Sequence, residues 1–219
     1  MQVKVLQSAA LYALMNDQDI ILVDIRPKDD FSNGFIAGSC YLPDISLLPF
    51  ILPMDDVGKT AGVVLIGTGQ ENDEVAEQLA QALGSRLYGI YYYGTEDKGP
   101  IEEGSDLIIA IEPDELAMDI QFDESLVLLD LSTANEFAEG HIVGAMHFPL
   151  ENLGDPANIA LLPENGNIYL YSRDVKRSMV AASVYKKHGL HNLRVINASW
   201  EDIVNMPGLK LEKDTKQLN

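Results

Sequence analysis

The stretch Asp130-Leu131-Ser132-Thr133-Ala134-Asn135-Glu136-Phe137-Ala138-Glu139-Gly140-His141-Ile142-Val143-Gly144-Ala145, running on to Pro149, decides how the 219-residue chain is to be read. An apolar run ends in an acid (Leu128, Leu129, Asp130), an acidic-Phe pair follows, and an Ile-x-Gly turn leads to proline. The same pattern occurs earlier in the chain, as Ile21 to Asp24, Asp30-Phe31, Gly34, Ile36, Gly38 and Pro43. Counted from Asp24 and from Asp130, the matching residues fall at the same offsets, so the chain is read as an internal repeat.

Each repeat continues in the same order. A second apolar run (Val63 to Ile66; Ile168 to Tyr171) is followed by a polar loop and then by apolar residues at helical spacing. These are Val75, Ala76, Leu79, Ala80 and Leu83 in the first copy, and Val180, Ala181, Val184 and Tyr185 in the second. Gly84 and Gly189 fit as helix stops, and a third apolar segment follows each (Tyr88 to Tyr93; Leu193 to Ile196). Strands alternating with helices build a mainly parallel sheet flanked by helices, so the expected fold class is α/β. The Gly- and acid-rich stretch from Gly94 to Ser105 reads as a connection, which predicts domains over 1–104 and 105–219.

Bulk properties narrow the function classes. A formal net charge of −19 with a pI near 4.3 opposes binding to nucleic acid and to anionic membrane surfaces. No apolar run approaches the roughly 20 residues a membrane-spanning helix needs, and no secretory signal is legible at Met1 to Leu6, so a cytoplasmic location is expected. The single cysteine, Cys40, excludes an internal disulfide and a Cys-rich metal site, and no metal or cofactor is expected. Cys40 lies between a glycine turn and a proline, where Met146 stands in the second copy, and reads as a small buried hydrophobe.

The Asp130 to Pro149 segment, with the loop Ser172-Arg173-Asp174-Val175-Lys176-Arg177-Ser178 and the tail Leu193 to Trp200, resembles the rhodanese family. The resemblance implies two rhodanese-like domains, of which the first is the more diverged. It also implies a six-residue loop beginning with a cysteine that carries sulfur as a persulfide and ending with an arginine. Here Ser172 stands at the nucleophile position and Arg177 at the end, while the matching stretch of the first copy is Gly67-Thr68-Gly69-Gln70-Glu71-Asn72. A serine hydroxyl is a poorer nucleophile and cannot form a persulfide, and no Ser-His-Asp arrangement is legible around Ser172, so no catalytic residue is expected.

The expected function is therefore a catalytically silent tandem rhodanese-like binding or regulatory protein; the alternative is a thiosulfate or persulfide sulfurtransferase in which Ser172 replaces an original cysteine. Arg173, Lys176 and Arg177 are three of nine basic residues in 105–219, against 18 acids, and cluster at a predicted helix start. That marks Ser172 to Arg177 as an expected anion site, with a small anion or a protein as partner. Val175 stands where the family often has glycine and is expected to reshape the cradle. Asp24, Asp130, His141, His147, Trp200 and Tyr91 to Tyr93 are expected to serve structure; His188 and His191 also fit structural positions.

Overall fold

The computed structural model describes residues 3–52, 61–69, 73–94, 99–163 and 165–214. The chain divides into two compact units, Met1–Leu107 and Ile108–Asn219. The division falls slightly beyond the expected residue 104. Ser105 accepts a hydrogen bond from the Ala37 amide through its hydroxyl (2.9 Å), and Asp106 exchanges backbone hydrogen bonds with Phe35, which ties both residues to the first unit.

In the first unit the order is β1 (Val5–Leu6), α1 (Ser8–Asp17), β2 (Ile20–Asp24), α2 (Lys28–Asn33), β3 (Cys40–Tyr41), α3 (Leu48–Ile51), β4 (Gly62–Gly67), α4 (Asp73–Leu83) and β5 (Leu87–Tyr92). Its five-stranded sheet runs β1-β5-β4-β2-β3 with every pair parallel. The second unit contains β6 (Ile109–Ile111), α5 (Pro113–Phe122), β7 (Val127–Asp130), α6 (Ala134–Glu139), β8 (His141–Ile142), β9 (Met146–His147) and α7 (Pro156–Ile159). It continues with β10 (Ile168–Tyr171), α8 (Val175–Lys187), β11 (Leu193–Ile196), α9 (Trp200–Asn205) and β12 (Leu211–Glu212). The parallel order β6-β11-β10-β7-β9 repeats that of the first unit, and β12 adds an antiparallel pair with β8.

The repeat is carried at the level of single hydrogen bonds. Ser39 donates its amide to the Ile36 carbonyl, and Ala145 to that of Ile142, closing equivalent turns at 3.0 and 2.9 Å. The third residues of those turns, Gly38 and Gly144, have φ of 84° and 85°, which side chains resist and glycine accepts freely. Each turn returns the chain beside the acid that opened the pattern, Asp24 against Tyr41 and Asp130 against His147.

Fully buried central strands need apolar residues on both sheet faces, and Val63 to Ile66 and Ile168 to Tyr171 are buried throughout. Helix α4 is amphipathic as its spacing predicts, with Ala76, Leu79, Ala80 and Leu83 inward. Helix α8 departs from expectation: Ser178 through Lys186 are all buried, not one face alone. Small side chains make this possible, and Ser183 satisfies its hydroxyl on the Val180 carbonyl (2.7 Å). Among the described residues no helix is long and apolar enough to cross a membrane, and no group of three potential metal ligands occurs.

Cys40 is buried in β3. Asp24 is also fully buried and accepts from the Nε (3.0 Å) and Nη2 (2.8 Å) of the buried Arg26. Burial pushes its carboxyl upward, against the pull of the guanidinium. Removing one partner of such a pair strands a buried charge, which costs about 3–5 kcal/mol. Asp24→Ala and Arg26→Ala are each expected to destabilise the first unit by about that amount, and the double variant by less than the sum, as read from urea unfolding of the full chain.

Candidate functional site

Strand β10 delivers Ser172 to the C-terminal edge of the second sheet, where the loop turns into α8. Ser172 is only 2% exposed. Its hydroxyl points inward, donating to the carbonyl of Asp174, and lies 2.8 Å from the Ser178 hydroxyl on the first turn of α8. Asp174 is the N-cap of α8: its carboxylate accepts from the Lys176 amide (3.0 Å), and its carbonyl accepts from the Arg177 amide (3.0 Å). An internal carboxylate thus occupies the position at which a helix start favours an anion.

Two of the three expected cations are directed to α6 rather than over the loop. Arg173 donates through Nη2 to the carbonyls of Glu136 (2.7 Å) and Gly140 (3.2 Å), and its guanidinium lies 4.0 Å over the Trp200 ring. Arg177 pairs through Nη1 with the Glu136 carboxylate at 2.7 Å. That carboxylate also accepts from the amide and hydroxyl of Thr133, completing a capping box at the start of α6. Lys176 remains exposed.

The first copy solves the same problem with a different residue. The Gly34 carbonyl, at the end of α2, receives Nη2 of Arg26 (2.9 Å), whose guanidinium lies 3.6 Å over the Tyr93 ring. An arginine from the end of β2 here does what Arg173 does from the end of β10. Of the expected first-copy loop, Gly67 ends β4 and Thr68 and Gly69 follow it, whereas Gln70, Glu71 and Asn72 lie outside the described residues. Gly69 has a φ of 100° and packs beside the Tyr92 ring.

The remaining polar candidates have defined structural partners. Asp130 accepts from the Ser132 amide (2.8 Å). Tyr171 is fully buried, and its phenol is held well above the ordinary range by burial and by the Asp130 carboxylate. His147 reaches the Ser132 carbonyl (2.9 Å), and His141 stacks on Phe137 with ring centroids 3.7 Å apart. Burial and neighbouring Lys187 hold His188, the cap of α8, below the usual histidine range, and His191 is exposed. Tyr91 is buried with its hydroxyl on Glu103 (2.8 Å).

Two openings adjoin the loop. A recess of about 350 Å³ at its mouth is lined by Arg173, Asp174, Val175, Ala198, Ser199 and Asp202, among others. A larger cleft of about 940 Å³ lies on the far side of Arg173 and Trp200, walled by α6 and by Leu211, Lys213 and Asp214 at the end of the described chain. Nothing in the spacing of the sequence announced this second cleft, because its wall is a short strand with no apolar periodicity.

Duplicated parallel sheets with a strand-loop-helix element at the sheet edge define a tandem α/β protein of the sulfurtransferase fold. The rhodanese-like domain family matches residues 7–97 and 112–206, and the chain belongs to that family. Over 121 residues the chain is 33% identical to YrkF of Bacillus subtilis, provisionally named a sulfur carrier protein, covering 50% of this chain and 63% of YrkF. Over 87 residues it is 34% identical to YibN of Escherichia coli K12, an uncharacterized protein, covering 37% of this chain and 57% of YibN. The matches thus span about six-tenths of the length of these relatives. Among solved structures, the Alr3790 protein of Anabaena sp. is similar at 21% identity with a TM-score of 0.43, over 47% of this chain and 91% of that one. The anaerobic ergothioneine biosynthesis enzyme of Chlorobium limicola is similar at 16% identity with a TM-score of 0.41, over 97% of this chain and 63% of that one.

Burial works against the charged form of Glu136, but the Thr133 amide, the Arg177 guanidinium and the Thr133 hydroxyl outweigh it and hold the carboxyl below its usual 4.5. A carboxyl depressed on folding contributes stability that is fully present above its unfolded value and is lost as pH falls through its folded value. Acid titration of the unfolding free energy is therefore expected to fall off below about pH 4.5 in the wild type, and Glu136→Gln is expected to flatten that part of the curve.

Proposed function

We propose that this chain is a catalytically silent rhodanese-like protein that works by binding, with the mouth of the Ser172 to Arg177 loop as its recognition surface. The observation that carries this reading is the Asp174 carbonyl turned toward the Ser172 side-chain oxygen. A hydroxyl can donate to a carbonyl, but a thiolate in the same place would face a lone pair where it needs N–H donors. The loop therefore suits a neutral donor and opposes the anion on which sulfur transfer depends.

The partner this mouth fits is a protein rather than a small anion. Asp174 already caps α8, Asp202 borders the same recess, and Arg173 and Arg177 are spent on α6. What remains exposed is a mixed pair, Lys176 and Asp174, which suits a polar protein rim better than a phosphate or thiosulfate cradle.

The second reading is a sulfur carrier or sulfurtransferase in which Ser172 replaces an original cysteine. It is favoured by the kept loop length, Arg177 and Glu136, and by the name given to the Bacillus relative.

Ser172→Cys separates the two readings. The silent reading expects its thiol to be alkylated with an apparent pKa at or above the ordinary value of about 8.5. It also expects no persulfide by mass spectrometry after incubation with thiosulfate, and no sulfur transfer to cyanide. A thiolate formed well below neutrality, with persulfide and turnover, would establish the carrier reading instead. Titration with inorganic phosphate is expected to leave the amide resonances of Val175 to Arg177 unmoved.

A further inference from the structure

The C-terminal segment of the described chain folds back over the second unit as a strap. Its strand β12 pairs antiparallel with β8, placing Leu211 opposite Ile142 and Glu212 opposite His141. Beyond the ladder, the Val143 amide donates to the Lys210 carbonyl (2.8 Å), and the Asp214 amide to that of Ala138 (3.1 Å). The Gly144 amide approaches the Glu212 carboxylate at 3.4 Å. A two-residue ladder is too short to hold by itself, so side chains must contribute to its closure.

One side-chain contact in this strap has an unambiguous proton count. His141 Nδ1 lies 2.9 Å from the Phe137 carbonyl, an atom that can only accept, so Nδ1 carries a hydrogen. In a neutral imidazole the other nitrogen is then a bare lone pair. That nitrogen, Nε2, faces Oε1 of Glu212 at 3.4 Å. A lone pair against a carboxylate repels, whereas one additional proton, on either partner, turns the contact into a charge-assisted hydrogen bond. The ring is held for this contact by its stack on Phe137 and is only 6% exposed, while Glu212 is half exposed and belongs to the segment that can leave.

Other charged groups on the elements packed around the ring are Glu136 and Glu139 on α6, and Lys210, Lys213 and Asp214 on the strap. Arg173 donates to the neighbouring Gly140 carbonyl. Among the described residues Glu212 is the acid that comes within ion-pair distance of His141.

We propose that His141 and Glu212 form a proton-dependent latch that closes the C-terminal strap onto β8 and thereby sets the wall of the cleft beside Arg173 and Trp200. Closure takes up a proton, so the strap is held at the acidic end of the histidine range and released at the alkaline end. Leu211, Lys213 and Asp214 line that cleft, and strap release opens it from one side. This inference concerns the strap alone and stands whether or not the loop binds a partner.

The test is amide hydrogen exchange on the full chain, expressed as protection relative to the intrinsic rate at each pH between about 5.5 and 8. Val143 and Asp214 report the strap, and Leu170 in the central strand β10 serves as the reference for global opening. Protection at Val143 and Asp214 is expected to fall with rising pH, by up to about tenfold per pH unit for one proton, while Leu170 stays constant. Glu212→Gln is expected to abolish the dependence while keeping the strap closed, because its amide N–H can donate to the neutral Nε2. The latch is refuted by protection at Val143 and Asp214 that does not vary with pH, by a change shared equally with Leu170, or by the same pH dependence in Glu212→Gln.

Discussion

The backbone carbonyl that ends the short helix of each repeat, at Gly34 and at Gly140, must be satisfied by a guanidinium lying on an aromatic ring, and much of the local architecture follows from that requirement. A carbonyl turned inward at a helix end costs free energy unless a donor reaches it. Arginine answers with a planar fork that can bond at its edge and stack on its face at once. In the first unit the arginine comes from the end of β2 and is neutralised by Asp24; in the second it comes from the loop after β10 and is shared with Glu136. The two copies kept the constraint and exchanged the residue that meets it.

That exchange has a consequence for the second loop. With Arg173 bonded to α6 and Arg177 paired with Glu136, the loop is braced at both ends, and its side chains spend their charge inside the molecule. A loop that holds a helix in place keeps its length and its terminal arginine even when no sulfur passes through it. The retention of Arg177 is accounted for by the Glu136 capping box alone, so it is weak testimony for chemistry.

Much of the fold was legible because it is written in local rules applied twice. The turns at Gly38 and Gly144, the acids Asp24 and Asp130, and the apolar runs of β4 and β10 each follow from a backbone or burial requirement that depends on near neighbours. The opening strand and helix of each unit, β1 with α1 and β6 with α5, were missed because two- and three-residue edge strands carry no periodic signal. The site was harder to read for a different reason. Three basic residues at a helix start look like an anion cradle along the sequence, but where a guanidinium points is decided by a carbonyl some thirty to forty residues away, at Glu136 or Gly140. The burial of α8 on every side was likewise invisible, since Ala181, Ala182 and Ser183 read the same on a surface as in a core.

The replacement of sulfur by oxygen at position 172 is more than the loss of a nucleophile, because the two atoms ask opposite things of the loop around them. A thiolate is an acceptor without a hydrogen, and a loop that stabilises it must aim amide N–H groups at one point. A serine hydroxyl carries a hydrogen and, once buried, must find an acceptor for it. Here the acceptor is the Asp174 carbonyl, and the Asp174 side chain caps the helix whose amides would otherwise converge on an anion. One residue therefore withdraws both supports that the anion would have required, its carbonyl by facing the site and its carboxylate by filling the helix start. Restoring a sulfur atom alone leaves Asp174 in place, so the chemistry of the loop is governed as much by its third residue as by its first.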